Sequence, residues 1–472
     1  MNLECSEYVM GGSPERATPT RAGDRDRVTG RELFARNPTT TTMATTRRRG
    51  TSPARARAAP DQSAHATWTF TPKHRWSFQN NAICGICLLA WLELLYTRRR
   101  HVDWWSYWQR VAFVTAIATL NSLLAMVEWV FYGRAIARQP INSRPVFILG
   151  HPRTGTTLLH SLMALDDELF GYCSTFCVAF PSAFLWLEPC KSLFAGLVSS
   201  KRPMDEMALD LDTPQEDELG VNVLSAGRSP YMPLTFMTDE PSFRPFFSFK
   251  QPDAQTASAR RRWTASFLFL LRKLSVRCGG RRLLLKSPVH TARVALLLQL
   301  FPQAAFVYLH RHPLVVYKSA CHMADTTYWH MYLNEPSSEQ IHDFILEQFV
   351  TLWEEYAADR QLVPAGRLVE MSFEELSTSP IEAVRRVYDE LGLTGFEERV
   401  RPRVAALQAG KQLQGTKARG GGGTSGGPTL KGYKKNSFRP LPPALRELIA
   451  ERWAAYAAAW GYSCEEGAGG QL

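Results

Sequence analysis

Pro145-Val-Phe-Ile-Leu-Gly150-His-Pro-Arg153-Thr154-Gly155-Thr156-Thr157-Leu-Leu-His160 is the stretch that decides how the chain after it folds. Val146 to Leu149 is an apolar run that reads as a buried parallel strand; Gly150 and Pro152 interrupt it, and Thr157 to Leu165 takes up helical spacing. In a strand, tight loop and helix of this kind the loop N–H groups point inward, with the positive end of the helix dipole behind them, and favour a phosphate- or sulfate-like dianion. Gly150 and Gly155 have the spacing of the two glycines in a phosphate loop, and hydroxyls follow at once. The nucleoside-triphosphatase pattern needs a Lys after the second Gly, and Thr156 stands there instead. The cation of the loop is Arg153, whose planar fork can clamp an anion through two bonds. A donor that carries its own leaving group and needs no magnesium suits this arrangement.

A second constellation begins at Arg281. Leu283 to Lys286 is a short buried strand, Ser287-Pro-Val-His290 a turn, Ala292 to Phe301 a helix, and Ala305 to Leu309 a further strand ending in His310-Arg311-His312-Pro313. Lys286 and Arg311 are thereby delivered to the carboxyl edge of a doubly wound sheet, where ligands bind. Ser319 follows Arg311 on the helix that starts after Pro313, and the two can hold a phosphate between strand end and helix. The fold class expected is α/β, a P-loop-type doubly wound parallel sheet flanked by helices. Met204 to Leu224 reads as mostly helical, with Thr213 as N-cap and Pro214 in the first helical position. Glu216, Asp217 and Glu218 then fall in the opening turn, where acids suit the dipole. Three in a row exceed what capping asks for, so a role as proton acceptor is expected among them.

Taken together these motifs resemble the sulfotransferases. Pro152-Arg-Thr-Gly-Thr-Thr157 looks like the loop with which that family holds the 5′-phosphosulfate of 3′-phosphoadenosine 5′-phosphosulfate, and Arg311-His-Pro with Ser319 resembles its Arg-x-Pro…Ser grip on the 3′-phosphate. Leu285-Lys286-Ser-Pro-Val-His290 is similar to the motif carrying the catalytic Lys in membrane-bound and tyrosylprotein-type members. Leu368 to Leu376 followed by Pro380 looks like the family's late strand-and-helix unit. The resemblance covers about residues 144–462. It implies that donor 3′-phosphoadenosine 5′-phosphosulfate is held by Arg153, Thr154, Gly155, Thr156, Thr157, Arg311 and Ser319, that Lys286 stabilises charge, and that no metal takes part. Two departures leave the base open. Cytosolic members have a Lys-x-His arrangement, whereas His290 lies four residues beyond Lys286; tyrosylprotein-type members carry a Glu soon after the first helix, where this chain has Gly171-Tyr-Cys-Ser-Thr175. Glu216 is the preferred base and His290 the rival. Lys431 to Phe438 distantly resembles the family's closing loop, and a Gly-rich flexible insert precedes it, within residues 409–428.

The full 472 residues carry a net charge of +11, and residues 1–75 hold thirteen Lys and Arg against seven acids. Between Ala35 and Pro60 there are six Arg and no acid, and residues 1–75 are expected to be a disordered basic tail. Its arginines lack aromatic interleaving, so nucleic acid is not an expected partner. Residues 76–140 read as a membrane-associated helical region. Val111 to Tyr132 is long enough to span a bilayer, Asn81 to Tyr96 is marginal, and Trp104, Trp105, Tyr107 and Trp108 precede the longer one as interfacial anchors. One span with Arg98-Arg99-Arg100 on its cytosolic side gives a lumenal enzyme in the Golgi. Cys173, Cys177 and Cys190 could pair there. Residues 463–472 form a short tail. The function expected is sulfuryl transfer to a hydroxyl or amine of an unnamed acceptor, whether carbohydrate, lipid, protein or small metabolite. A P-loop kinase or nucleotide-binding protein, or an inactive membrane-anchored binding module, is the alternative.

Overall fold

β1 (Val146–Gly150) lies at the centre of a five-stranded, all-parallel sheet, with β2 (Phe170–Tyr172), β3 (Arg282–Lys286), β4 (Ala305–His310) and β5 (Leu368–Ser372) in the order β2-β3-β1-β4-β5. The computed structural model describes residues 68–78, 80–197, 210–409 and 441–463. Residues 1–67 of the basic tail, residues 410–428 of the Gly-rich insert, Lys431 to Phe438 and residues 464–472 lie outside them. Residues 68–75 are packed on the body, with Phe70 buried and the His74 carbonyl accepting from Arg110 Nη2 at 2.7 Å, so the disorder expected for the tail does not extend to residue 75. The sheet is covered on both faces, and its central strands are apolar on both sides for that reason. Phe147, Leu149, Leu283, Leu285, Phe306 and Tyr308 enter one core, while Val146, Ile148, Leu284, Val307 and Leu309 enter the other.

Fifteen α-helices are found among the described residues. α1 (Leu88–Arg98) and α2 (Trp104–Arg138) precede the sheet, and α3 (Thr156–Met163), α4 (Thr175–Ala179) and α5 (Phe184–Leu187) follow β1. α6 (Asp217–Leu224) and the long α7 (Ala254–Arg277), N-capped by Asp253 through Thr256 N, lead to β3. α8 (Val294–Leu300) joins β3 to β4 behind a 3₁₀ stretch, Pro288–Arg293, and so is shorter than the helix expected from Ala292. α9 (Pro313–Thr327) opens with Pro in its first turn, and α10 (Ser338–Asp359) with a capping box between Ser337 and Gln340. α11 (Phe373–Thr378), α12 (Pro380–Glu390), α13 (Arg401–Gln408), α14 (Pro443–Arg452) and α15 (Ala454–Trp460) complete the chain.

Three expectations change. Of the stretch Met204 to Leu224 read as mostly helical, residues 204–209 lie outside the described residues, residues 210–216 are not helical, and the helix starts at Asp217 with Glu216 as its N-cap. Thr213 does not cap it, because Asp210 Oδ1 accepts from both Thr213 N and Thr213 Oγ1, which closes a turn ahead of the helix. Asn81 to Tyr96 does not form one membrane-length helix: α1 has 11 residues, and turns precede it. Cys173, Cys177 and Cys190 are free thiols.

α2 is the helix among the described residues long and apolar enough to cross a membrane. Its inner face is nevertheless fastened to the rest of the α/β body. Arg110 Nη1 donates to the Tyr332 carbonyl, Asn121 Nδ2 donates to the Ile86 carbonyl at 3.0 Å, and Glu128 Oε2 accepts from Leu185 N at 2.8 Å. Glu128 also pairs with Lys273 on α7, both side chains being buried.

Candidate active site

The loop after β1 depends on backbone that only some residues tolerate. Gly150 has φ +140°, and a Cβ there would lie 2.6 Å from the Leu309 carbonyl of the neighbouring strand. Gly155 has φ +94°, and its Cβ would lie 2.3 Å from the Phe373 ring. Arg153, with φ +75°, takes the left-handed conformation without being glycine, a strain of order 1 kcal/mol that neighbouring bonds must hold. Thr291 Oγ1 clasps the start of the loop, accepting from Gly150 N at 2.8 Å and donating to Gly150 O at 3.1 Å. Thr154 is fully buried and donates its hydroxyl to the His151 carbonyl at 2.8 Å, so it shapes the turn. His151 stacks on Phe349, with its Nε2 3.0 Å from the Phe349 carbonyl oxygen, and burial pulls its pKa down to about 3.

One corner of the site gathers the residues singled out around Arg311. Arg153 Nε donates to Ser319 Oγ at 2.9 Å, and Arg311 Nη1 donates to the Arg153 carbonyl at 3.1 Å. The Arg311 guanidinium lies 4.0 Å from the centre of the Phe373 ring. Its backbone is held by Tyr456, whose hydroxyl accepts from Arg311 N and donates to Arg311 O, each at 2.9 Å. The β4 edge thus supplies a guanidinium whose position is fixed from three sides, and α9 supplies a hydroxyl beside a second guanidinium. Two such cations next to a hydroxyl suit a phosphate.

The other corner is built on Lys286, at the end of β3. Its Nζ donates to Glu216 Oε1 at 2.7 Å and to Thr157 Oγ1 at 3.2 Å, which links the loop helix α3 to the N-cap of α6. The lysine is 1% exposed and the Glu216 side chain 20%, so the carboxylate is the part that solvent or a substrate can reach. Tyr231 donates its hydroxyl to Glu216 Oε2. Beside this pair His160 is buried, and burial followed by the Lys286 charge lowers its pKa to about 3.

The three adjacent acids have three different fates. Asp217 is fully buried, accepts from Ser287 Oγ at 3.2 Å, and lies 2.6 Å from His290 Nε2. Burial pushes its carboxyl up, but His290 and these hydrogen bonds outweigh it and hold the group below its ordinary value. Glu218 is fully buried as well, bonded to Arg293, Trp263 Nε1 and Ser229 Oγ. Only Glu216 faces outward. His290 is 0% exposed, with Phe147, Trp263 and Phe267 packed around its ring, so no acceptor can touch it in this arrangement.

Sequence reasoning missed Tyr231, Thr291, Phe373, Tyr456 and Tyr328. Tyr328 is a buried phenol whose surroundings raise its pKa, burial being the main cause, and which feels the charges of both Arg153 and Glu216. Phe373 lies within the Leu368 to Leu376 motif without being singled out there, and no motif marks the other four, because their roles come from chain crossings far apart in sequence. Among the described residues no group of three or more His, Cys, Asp or Glu could hold a metal ion.

Comparison with known proteins shows the family of the chain. The sulfotransferase family profile matches residues 145–398. The ω-hydroxy-β-dihydromenaquinone-9 sulfotransferase Stf3 of Mycobacterium bovis is 31% identical over 378 residues, covering 80% of this chain and 90% of the relative; that of Mycobacterium tuberculosis gives the same figures. Among solved structures, sulfotransferase STF9 from Mycobacterium avium matches with a TM-score of 0.54 at 17% identity, over 79% of this chain and 92% of that one. Sulfotransferase STF1 from M. tuberculosis matches with a TM-score of 0.52 at 18% identity, over 78% and 90%. With its parallel sheet, its loop after β1 and its matched sequence, this chain belongs to the sulfotransferase family.

Proposed function

We propose that the donor is 3′-phosphoadenosine 5′-phosphosulfate and that the acceptor is a hydroxyl on an apolar molecule. The observation that carries the donor assignment is the Arg311, Arg153 and Ser319 corner, which lies across the loop from Lys286 and Glu216. When bound, the donor supplies a sulfuryl group already joined to a good leaving group. Arg311 and Ser319 would hold its 3′-phosphate, and Arg153, Thr156, Thr157 and the loop N–H groups its 5′ end. The chemistry of the residues fits, since three cationic side chains and several hydroxyls face a polyanion. Lys286 stabilises the negative charge that grows on the leaving oxygen as the sulfur–oxygen bond breaks, in the manner of other preorganised cations. Glu216 takes the proton of the acceptor hydroxyl as its oxygen bonds to sulfur. His290 orients the base: it holds Asp217, the first residue of α6, and so fixes the helix whose N-cap is Glu216.

Support for an apolar acceptor comes from the Stf3 relatives, named for a hydroxylated menaquinone, and from Tyr231 and Tyr328 beside Glu216. Calorimetry tests the donor. The wild-type chain should bind 3′-phosphoadenosine 5′-phosphate well ahead of AMP, and Arg311→Ala should narrow that preference by about tenfold or more, the value of a charge-assisted bond. Unchanged discrimination in the variant would remove Arg311 from the 3′-phosphate and the donor assignment with it.

A further inference from the structure

The outer faces of α1 and α2 are apolar in a way the catalytic site does not use. Most of the large apolar side chains exposed among the described residues lie on these two helices. Trp105 is 92% exposed, Val130 77% and Leu89 76%, with Leu123, Met126 and Trp129 among the others. Trp105, Leu123 and Val130 share one side of α2 by helical spacing, with Ala112 and Ala116, both exposed, between them. Between Trp104 and Gly133 the charged residues are Arg110 and Glu128, and both are buried against the protein. The helix therefore turns its charges inward and its apolar stripe outward, the reverse of a surface helix in water. The stripe runs for roughly 38 Å at 1.5 Å per residue. An exposed patch of this kind marks a binding surface.

The charges at its ends indicate what covers it. Arg99 and Arg100 are exposed before α2 and Arg134 and Arg138 at its end. The nearby acids are engaged elsewhere: Glu93 is paired with Arg228 and Arg262, and Asp103 caps α2 by accepting from Trp105 N and Ser106 N. Tryptophans next to arginines at both ends of an apolar strip match the headgroup region of a bilayer carrying anionic lipid. The inner face sets the orientation. Arg110 is bonded to Tyr332 and Glu128 to Leu185 and Lys273, so the catalytic body grips the helix over about 27 Å of its length. A helix held this way cannot stand across a bilayer without drawing the body in as well.

We propose that α1 and α2 form a face that lies flat in the interface of an anionic lipid membrane, with both ends of α2 on the same side of it. This does not depend on the donor or the acceptor. It also removes the spanning helix from which a lumenal Golgi enzyme was expected.

The test uses the full chain with sealed vesicles of phosphatidylcholine, with and without phosphatidylglycerol. The wild type should float with the anionic vesicles, less so in high salt. Trp105→Glu with Val130→Glu should lower the floated fraction by about tenfold or more, with thermal melting and circular dichroism unchanged. Arg100→Cys and Arg138→Cys, mapped peptide by peptide after treatment with a membrane-impermeant maleimide, should both be labelled from outside. Labelling of only one end shows that α2 crosses and overturns the proposal. So does a chain that ignores vesicles and instead forms a dimer that the double substitution breaks, since the face then belongs to a second copy.

Discussion

Two lysine–glutamate pairs, Lys286 with Glu216 and Lys273 with Glu128, are alike in chemistry and opposite in consequence. Lys273 and Glu128 are 0% and 2% exposed; Lys273 also donates to the Pro181 carbonyl at 2.6 Å, and Glu128 accepts from Leu185 N and Trp186 N. Burial lowers the pKa of Lys273 despite its partner. Every group there is committed to protein, so the pair fastens α2 to α7 and does nothing else. Lys286 is equally buried, but Glu216 keeps a fifth of its side-chain surface open and the lysine also reaches the loop through Thr157. A charged pair becomes reactive when one member is left reachable on the side where a substrate can stand.

The largest effect should come from breaking the structural pair. Lys273→Met leaves Glu128 charged and buried, and should cost about 3–5 kcal/mol of stability in denaturant titrations, while turnover per folded molecule stays near wild type. Adding Glu128→Leu should recover most of the loss. If Lys273→Met instead abolishes turnover in fully folded protein, the two pairs do not differ as described.

In the pair proposed to be catalytic the order is reversed. Lys286→Ala should lower turnover by about 10²–10³-fold with donor affinity nearly intact, as expected for an interaction made mainly in the transition state. Glu216→Gln should lose about 10²-fold and the base-dependent limb of its pH–rate profile. His290→Asn should mainly lose stability. A Glu216→Gln enzyme with near wild-type turnover, beside a His290→Asn enzyme that lacks that limb, would transfer the role of base to the histidine.

The smallest effect separates the two regions by acid sensitivity. His151, packed on Phe349, and His160, beside Lys286, have pKa values lowered to about 3 by burial, so they remain neutral in the folded chain when the unfolded chain takes up protons near pH 6.5. The unfolded state then binds more protons, and stability falls as pH drops from about 6.5 towards 3, by about 1.4 kcal/mol per unit for each histidine. Melting curves should show a loss of about 2 kcal/mol per histidine at pH 5, and His151→Gln should remove one such share. An unchanged pH dependence in that variant would mean that the loop histidine is not the source.

The parts of this architecture that were legible in the sequence are those fixed by local pattern. β1, β3 and β4 are short apolar runs that end in Gly, Lys and His, β5 was read from its likeness to a family motif, and the glycines of the loop have the spacing of a phosphate loop. The places of Arg311 just after β4 and of Ser319 on α9 were readable for the same reason. The start of α6 was not, because Asp210 captures Thr213 and moves the cap to Glu216. Nor was the division of labour among Glu216, Asp217 and Glu218, which depends on what each meets: Tyr231, His290 and Arg293 arrive from other elements. Hydropathy registered the apolar length of α2 but not which of its faces the protein covers.

The strand order also sets a timetable for synthesis. β1 lies in the middle of the sheet, yet its partner Leu284 in β3 comes about 140 residues later and Ala305 in β4 about 160 residues later. At ~5–20 residues per second the ribosome needs roughly 10–30 s to deliver both neighbours, and through that interval the apolar Val146 to Leu149 has no strand to pair with. The segment that holds the loop after β1 in place is therefore secured only once about 310 residues have been made, long after it has itself emerged.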